Sequence, residues 1–168
     1  QLLETEDAVE NPLYECTTCG RLIELKEHRG LPVVPRFCPW CASSVSSIIG
    51  RELDGYRIDG LLSRGGFGIV YRASNITQPK MKAVVKILRP DLGYQRPELI
   101  RVFVEEARLT EEIGQTCFNV GQIRNVREKP WPYYLMEYVR GLTLDAVIDR
   151  AGEDKIPLDD CKGYLRGL

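Results

Sequence analysis

Leu61-Leu62-Ser63-Arg64-Gly65-Gly66-Phe67-Gly68-Ile69-Val70-Tyr71-Arg72-Ala73 sets three glycines in four residues between two strand-like runs. The pattern predicts a hairpin whose tip brings backbone N–H groups close to an anion, with Phe67 placed to shield that anion from water. A glycine-rich hairpin alone is a weak signal, because most are only turns. The next elements give it weight. Met81-Lys82-Ala83-Val84-Val85-Lys86-Ile87-Leu88 reads as a strand, and alternation puts Val84, Lys86 and Leu88 on one face. A lysine sharing a face with apolar residues is costly unless a carboxylate or a phosphate meets it.

Pro90-Asp91-Leu92-Gly93 reads as a turn, and a helix is predicted over about residues 97–113, opened by Pro97 and closed by Gly114. Glu98, Arg101, Glu105, Arg108 and Glu112 form a solvated stripe with ion pairs along it. Val102, Glu106, Leu109 and Ile113 recur at the same spacing, with Phe103 alongside, and predict a face turned toward the protein. A carboxylate on that face needs a cation, and Lys86 is the candidate partner of Glu106; a purely structural ion pair is the alternative. Residues 118–126 alternate like a strand, residues 128–132 turn it, and Tyr133-Tyr134-Leu135-Met136 begins another. Small helices are read around residues 144–148 and 156–168.

The six cysteines are unevenly used. Cys16-Thr17-Thr18-Cys19-Gly20 and Cys38-Pro39-Trp40-Cys41 make two C-x-x-C pairs 18 residues apart, while Cys117 and Cys161 stand alone. The paired spacing is that of a four-thiolate metal site, and Gly20 can take the positive φ that such a turn often needs. Short apolar stretches, Leu22-Ile23 with Leu25 and then Val33-Val34, predict a hairpin ribbon clamped by metal. Two disulfides are the alternative, but no secretory pattern precedes the pairs, which favours a reducing, cytoplasmic compartment. Zinc is the expected ion, with iron possible because the turns resemble those of rubredoxin. His28, the one histidine in the chain, falls at a turn rather than in the ligand set.

In order and spacing, the parts from about residue 55 to 168 resemble the small lobe of a Hanks-type Ser/Thr protein kinase. Four motifs carry the resemblance: the glycine-rich loop with Val70-Tyr71-Arg72-Ala73 after it, Ala83-Val84-Val85-Lys86, Phe103-Val104-Glu105-Glu106-Ala107, and Leu135-Met136-Glu137-Tyr138-Val139. The resemblance implies that Lys86 meets the ATP α- and β-phosphates and that Glu106 is its partner. It further implies nucleotide contacts from Leu62, Ser63, Arg64, Gly65, Gly66, Phe67, Gly68, Ile69, Val70 and Val84. Met136 stands as gatekeeper, Glu137 and Val139 face adenine through their backbones, and Thr143 stands at a ribose position. Ser63 replaces the first loop glycine, and the loop after the helix lacks the usual His-Pro-Asn. The sequence contains neither His-Arg-Asp-x-x-x-x-Asn nor Asp-Phe-Gly, the segments that supply the catalytic base and magnesium ligands. The expectation is therefore the ATP-binding portion of a kinase, inactive by itself, with ATP and Mg engaged in the complete protein. A pseudokinase-like nucleotide- or partner-binding scaffold is the alternative.

The expected architecture is α+β: a tail over residues 1–11, a four-cysteine module over 12–42, a serine-rich linker over 43–54, the lobe and hinge over 55–139, and the first large-lobe helices over 140–168. Charge agrees with two parts, since residues 1–50 carry 4 basic and 7 acidic side chains against 19 and 17 in the remainder. A net charge of −1 disfavours a dedicated nucleic-acid binder, leaving ATP and a protein substrate or partner as the expected ligands. No apolar run reaches the ~18–20 residues of a membrane span.

Overall fold

The computed structural model describes residues 13–24, 26–28, 31–33, 37–117 and 120–151. The described residues begin with five short strands: β1 (Leu13–Cys16), β2 (Leu22–Glu24), β3 (Lys26–His28), β4 (Leu31–Val33) and β5 (Val45–Ser47). β2, β1 and β5 form an antiparallel sheet in that order, and β3 pairs antiparallel with β4, His28 in register with Leu31. The stretch expected as a linker thus holds a strand, paired Cys16↔Val45 to Tyr14↔Ser47, and the fully buried Ile48. Ser46 and Ser47 point to opposite faces of this edge strand and both are exposed, so polar composition conceals the pairing.

The remaining strands build one six-stranded antiparallel sheet. They are β6 (Glu52–Leu53), β7 (Tyr56–Arg64), β8 (Gly68–Asn75), β9 (Lys82–Leu88), β10 (Ile123–Arg127) and β11 (Tyr133–Glu137), in the order β10-β11-β9-β8-β7-β6. Among the described residues three helices accompany them: α1 (Pro90–Gln95), α2 (Glu98–Gly114) and α3 (Leu144–Ala151). α1 replaces the turn expected at residues 90–93; Pro90 begins it, where a missing N–H costs nothing, and Asp91 lies in its first turn. The strand expected from residue 118 begins only at Ile123; Phe118 and Asn119, like the helix expected over residues 156–168, lie outside the described residues. The small helix expected around residues 144–148 is present as α3.

Alternation along β9 sorts the core. Ala83, Val85 and Ile87 pack on one face with Ile69, Tyr71, Ala73, Tyr133 and Leu135, and Leu13, Leu22 and Ile48 of the cysteine module join the same cluster. Leu88, on the other face, packs with Tyr134, Ile123 and the α2 side chains Phe103, Val104 and Ala107. The buried stripe of α2 is therefore Phe103, Val104 and Ala107. Val102, Leu109 and Ile113, expected to face the protein, are 54%, 59% and 53% exposed. The helix carries two apolar stripes, and the small Ala107 marks the one that lets helix and sheet approach closely. Among the described residues no helix is long and apolar enough to cross a membrane.

Candidate functional site

Lys86 points from the middle of β9 across the face that α2 covers. Its Nζ donates to Glu106 Oε1 at 3.1 Å and lies 5.8 Å from the Phe103 ring centroid and 5.4 Å from that of Tyr134. The Lys86 side chain is 23% exposed and that of Glu106 52%, so the pair lines an opening rather than a sealed core. Burial lowers the Lys86 pKa, but the Tyr134 phenol and the Glu106 carboxylate outweigh it and the net direction is upward. Lys86 is thereby kept as an ammonium ion, suited to an anion. The glycine loop lies directly against it. A Cβ at Gly68 would fall 3.1 Å from Lys86 Cε and Cγ, so a larger residue would have to displace the lysine stem. Gly65 N–H donates to Gly68 O at 2.8 Å, closing the tip, and Phe67 is exposed beyond it.

The four sulfurs of Cys16, Cys19, Cys38 and Cys41 all lie within 4.8 Å of one another, with Cys16–Cys41 at 3.5 Å and Cys19–Cys38 at 3.7 Å. Tetrahedral zinc–sulfur bonds of about 2.3 Å would set sulfurs about 3.8 Å apart, whereas a disulfide needs about 2.05 Å. The donor set fits a metal ion. The turns repeat one device: Gly20 N–H donates to Cys16 O and Ala42 N–H to Cys38 O, with positive φ at both Gly20 and Ala42. Thr18 and Cys19 N–H groups point at Cys16 Sγ. The Cys19 N–H, foremost, lowers the Cys16 thiol, and the Ser43 hydroxyl and N–H lower Cys41 to about 6. Cys19 moves the other way, to about 11; the N–H of Arg21 favours its thiolate, but burial and its three sulfur neighbours outweigh that. Four sulfurs this close cannot all ionise together without a cation among them.

Ser/Thr protein kinase PknD of Protochlamydia amoebophila is 30% identical over 118 residues, covering 68% of this chain and 12% of that protein. Ser/Thr protein kinase PknG of Mycobacterium leprae is 26% identical over an alignment taking in 98% of this chain, the cysteine module included, and 23% of that protein. The chain belongs to the Hanks-type Ser/Thr protein kinases. Its fold agrees: the solved structure of the PpkA-294 apo form matches with a TM-score of 0.55 at 20% identity, over 65% of this chain and 44% of that one. No family model matches the chain. The chain thus spans about an eighth to a quarter of the length of these kinase relatives.

Within this kinase lobe the expected nucleotide contacts divide. Val70 sits opposite Lys86 in the β8–β9 register and Val84 opposite Met136 in the β9–β11 register, which brings these residues toward one face. Leu62, Ser63, Gly65 and Gly66 are exposed along the loop. Ile69 is not available there, because its side chain is fully buried in the core on the opposite face of β8. Arg64 turns to Glu24 of the cysteine module. Glu137 N–H is taken by Gln122 O at 2.9 Å, and Val139 lies exposed past the strand end. Thr143 caps α3, its Oγ1 accepting from Ala146 N–H at 3.2 Å, a role that Thr-x-x-Ala before a helical pattern already signals. The sequence reading missed Glu24, Arg89 and Tyr134. Tyr134 stands directly across from Lys86 in the β9–β11 register, a pairing that no local motif signals.

Proposed function

We propose that this chain is the ATP-binding half of a Ser/Thr protein kinase, preceded by a four-cysteine metal module. The observation that carries the reading is the Lys86–Glu106 pair held beneath a glycine loop whose Gly68 leaves room only for the lysine stem. In this reading Lys86 donates to the α- and β-phosphate oxygens, and Glu106 and Tyr134 hold it in place. The N–H groups of the Gly65–Gly68 tip approach the phosphates. The backbones of Glu137 and Val139, with Met136 behind them, meet adenine, and Thr143 meets ribose only by releasing its helix cap. Magnesium, when bound, would supply charge neutralisation at the phosphates, and its ligands and the aspartate that accepts the hydroxyl proton would come from His-Arg-Asp and Asp-Phe-Gly segments, which this sequence does not contain. Cys16, Cys19, Cys38 and Cys41 hold one metal ion, zinc before iron, in a structural role.

The test is calorimetric titration of ATP onto the chain, wild type and Lys86→Met. Binding weakened at least tenfold by the substitution is the expected result, since a charge-assisted contact to phosphate is lost. Equal affinities, or no binding by wild type, would sink the reading.

A further inference from the structure

Glu24 ends β2 in the cysteine module, 40 residues before Arg64 ends β7 at the entrance of the glycine loop, yet its carboxylate reaches the loop. Its side chain is 8% exposed, and each oxygen has its own arginine. Oε1 accepts from Arg64 Nη2 at 2.5 Å, and Oε2 accepts from Arg89 Nε at 3.3 Å. The two arginines are not interchangeable anchors. Arg64 is the last residue of β7, immediately before Gly65. Arg89 follows β9, and its backbone N–H donates to the carbonyl of Phe67 at the loop tip, at 3.0 Å. One buried carboxylate therefore grips the chain at the entrance of the loop and, through Arg89, the backbone that holds its tip.

We infer that Glu24 is a positioning residue for the nucleotide loop, supplied to the kinase lobe by the cysteine module. A glycine loop is cheap to deform, because glycine carries the largest backbone freedom of any residue. An approach to phosphate by backbone N–H groups therefore benefits from rigid anchorage on both sides. The same carboxylate, almost dry, would be costly without its cations, so the arrangement holds Arg64 and Arg89 in one geometry rather than merely attracting them. A plain fastener between module and lobe already exists next to it: Leu22 N–H donates to Tyr94 Oη at 3.0 Å, and Trp40 packs edge-on against the Tyr94 ring at 5.2 Å. Glu24 adds something that this fastener does not, a connection to both sides of the loop. The effect on nucleotide rests on the ATP-binding reading above; the effect on the loop does not.

The experiment measures hydrogen exchange at the Gly65 and Arg89 amides, whose acceptors are Gly68 O and Phe67 O, together with ATP affinity by calorimetry, in the metal-loaded chain. The variants are Glu24→Gln, Arg64→Gln, the double variant, and Tyr94→Phe as a control at the same junction. Glu24→Gln should speed exchange at both amides about tenfold and weaken ATP about fivefold, as should Arg64→Gln, with the double variant no worse than either. Tyr94→Phe should leave both readouts within twofold. Loop exchange unchanged in Glu24→Gln, or loosened equally by Tyr94→Phe, would overturn the inference. Should Glu24→Gln lose its metal or its β1 protection, Arg64→Gln decides in the same terms from the lobe side. If wild type binds no ATP, the nucleotide reading fails while the exchange data still accept or reject the clamp.

Discussion

Strands in the cysteine module run three or four residues, while β7, β8 and β9 of the lobe run nine, eight and seven. Short strands bury little: β1 offers Leu13 and Cys16 to the interior, and β2 offers Leu22. Sulfur replaces the missing apolar area, with four thiols converging from two turns that share one backbone device. The lobe needs no such clamp, because each long strand alternates into one of two apolar clusters. The difference teaches where each region is vulnerable. One should depend on an ion, the other on side-chain volume. They are nevertheless joined, since Leu13, Leu22 and Ile48 sit in the lobe's own core and the Tyr71 phenol is hydrogen-bonded to the Leu13 backbone.

Removing the ion is the harshest test of that contrast. Structural four-sulfur sites contribute on the order of 10–16 kcal/mol of apparent binding free energy. Stripping the metal with a chelator, or Cys38→Ser, should erase amide protection over β1, β2 and β5 and lower the lobe's melting temperature, while β8, β9 and β11 stay protected. Ion analysis of the native protein alongside identifies the metal. Protection of β1 that survives removal of all metal would break the comparison. The converse comes from the lobe: Leu135→Ala should cost about 2–5 kcal/mol and Phe103→Ala about 3–5 by urea denaturation, each with metal stoichiometry unchanged. Metal lost from the folded state of either variant would show the two regions to be one cooperative unit.

High pH acts on the lobe through a smaller effect. Tyr133 donates to Asp54 Oδ2 at 3.0 Å; burial and then that carboxylate raise the phenol from 10.0 to about 12. The folded state holds this proton longer than the unfolded chain does. Its contribution is therefore complete below pH 10 and lost as pH rises from 10 to about 12. Tyr133→Phe should cost about 1 kcal/mol at neutral pH, since Asp54 keeps its contacts to Arg127, and should flatten the alkaline loss. Burial also raises Tyr71 and Tyr134, so part of the slope remains. An alkaline slope identical in wild type and variant would remove Tyr133 from the account.

How much of this was legible beforehand depended on sequence distance. The glycine loop, Lys86, Glu106 and the four cysteines were readable because each lies in a local motif whose residue types carry the chemistry. Lys86 and Glu106 lie 3.1 Å apart although Val102, Leu109 and Ile113, the face expected to turn inward with Glu106, are exposed. The spacing of Val102, Leu109 and Ile113 is as helical as that of Phe103, Val104 and Ala107, and spacing does not say which stripe meets a sheet. The junction of module and lobe was illegible for a different reason. Glu24 is 40 residues from Arg64 and 65 from Arg89, and isolated charges at those separations carry no periodic signal. Residues 43–54 read as a linker because the serines of β5 stay exposed, as linker serines would.

The smallest expected effects lie on α2, and they decide between its two stripes. Glu106 stands between them, one side toward Phe103 and the other toward Val102 and Leu109, which explains a half-exposed carboxylate that still reaches Lys86. Leu109→Ser should change the stability of this chain by less than about 0.5 kcal/mol, the range of a surface substitution. Glu105→Gln should cost about 0.3–0.5 kcal/mol, because it breaks an exposed i,i+4 pair whose Arg101 Nε–Glu105 Oε1 distance is 2.9 Å. Neither should alter ATP affinity. Glu106→Gln should be nearly as mild for stability, with its carboxylate half in water, yet weaken ATP measurably because Lys86 loses its direction. Urea denaturation and calorimetry on the three variants separate these outcomes. A cost of 2 kcal/mol or more from Leu109→Ser would mean that this stripe is covered in solution and that the lobe, like the module, depends on something beyond its own core.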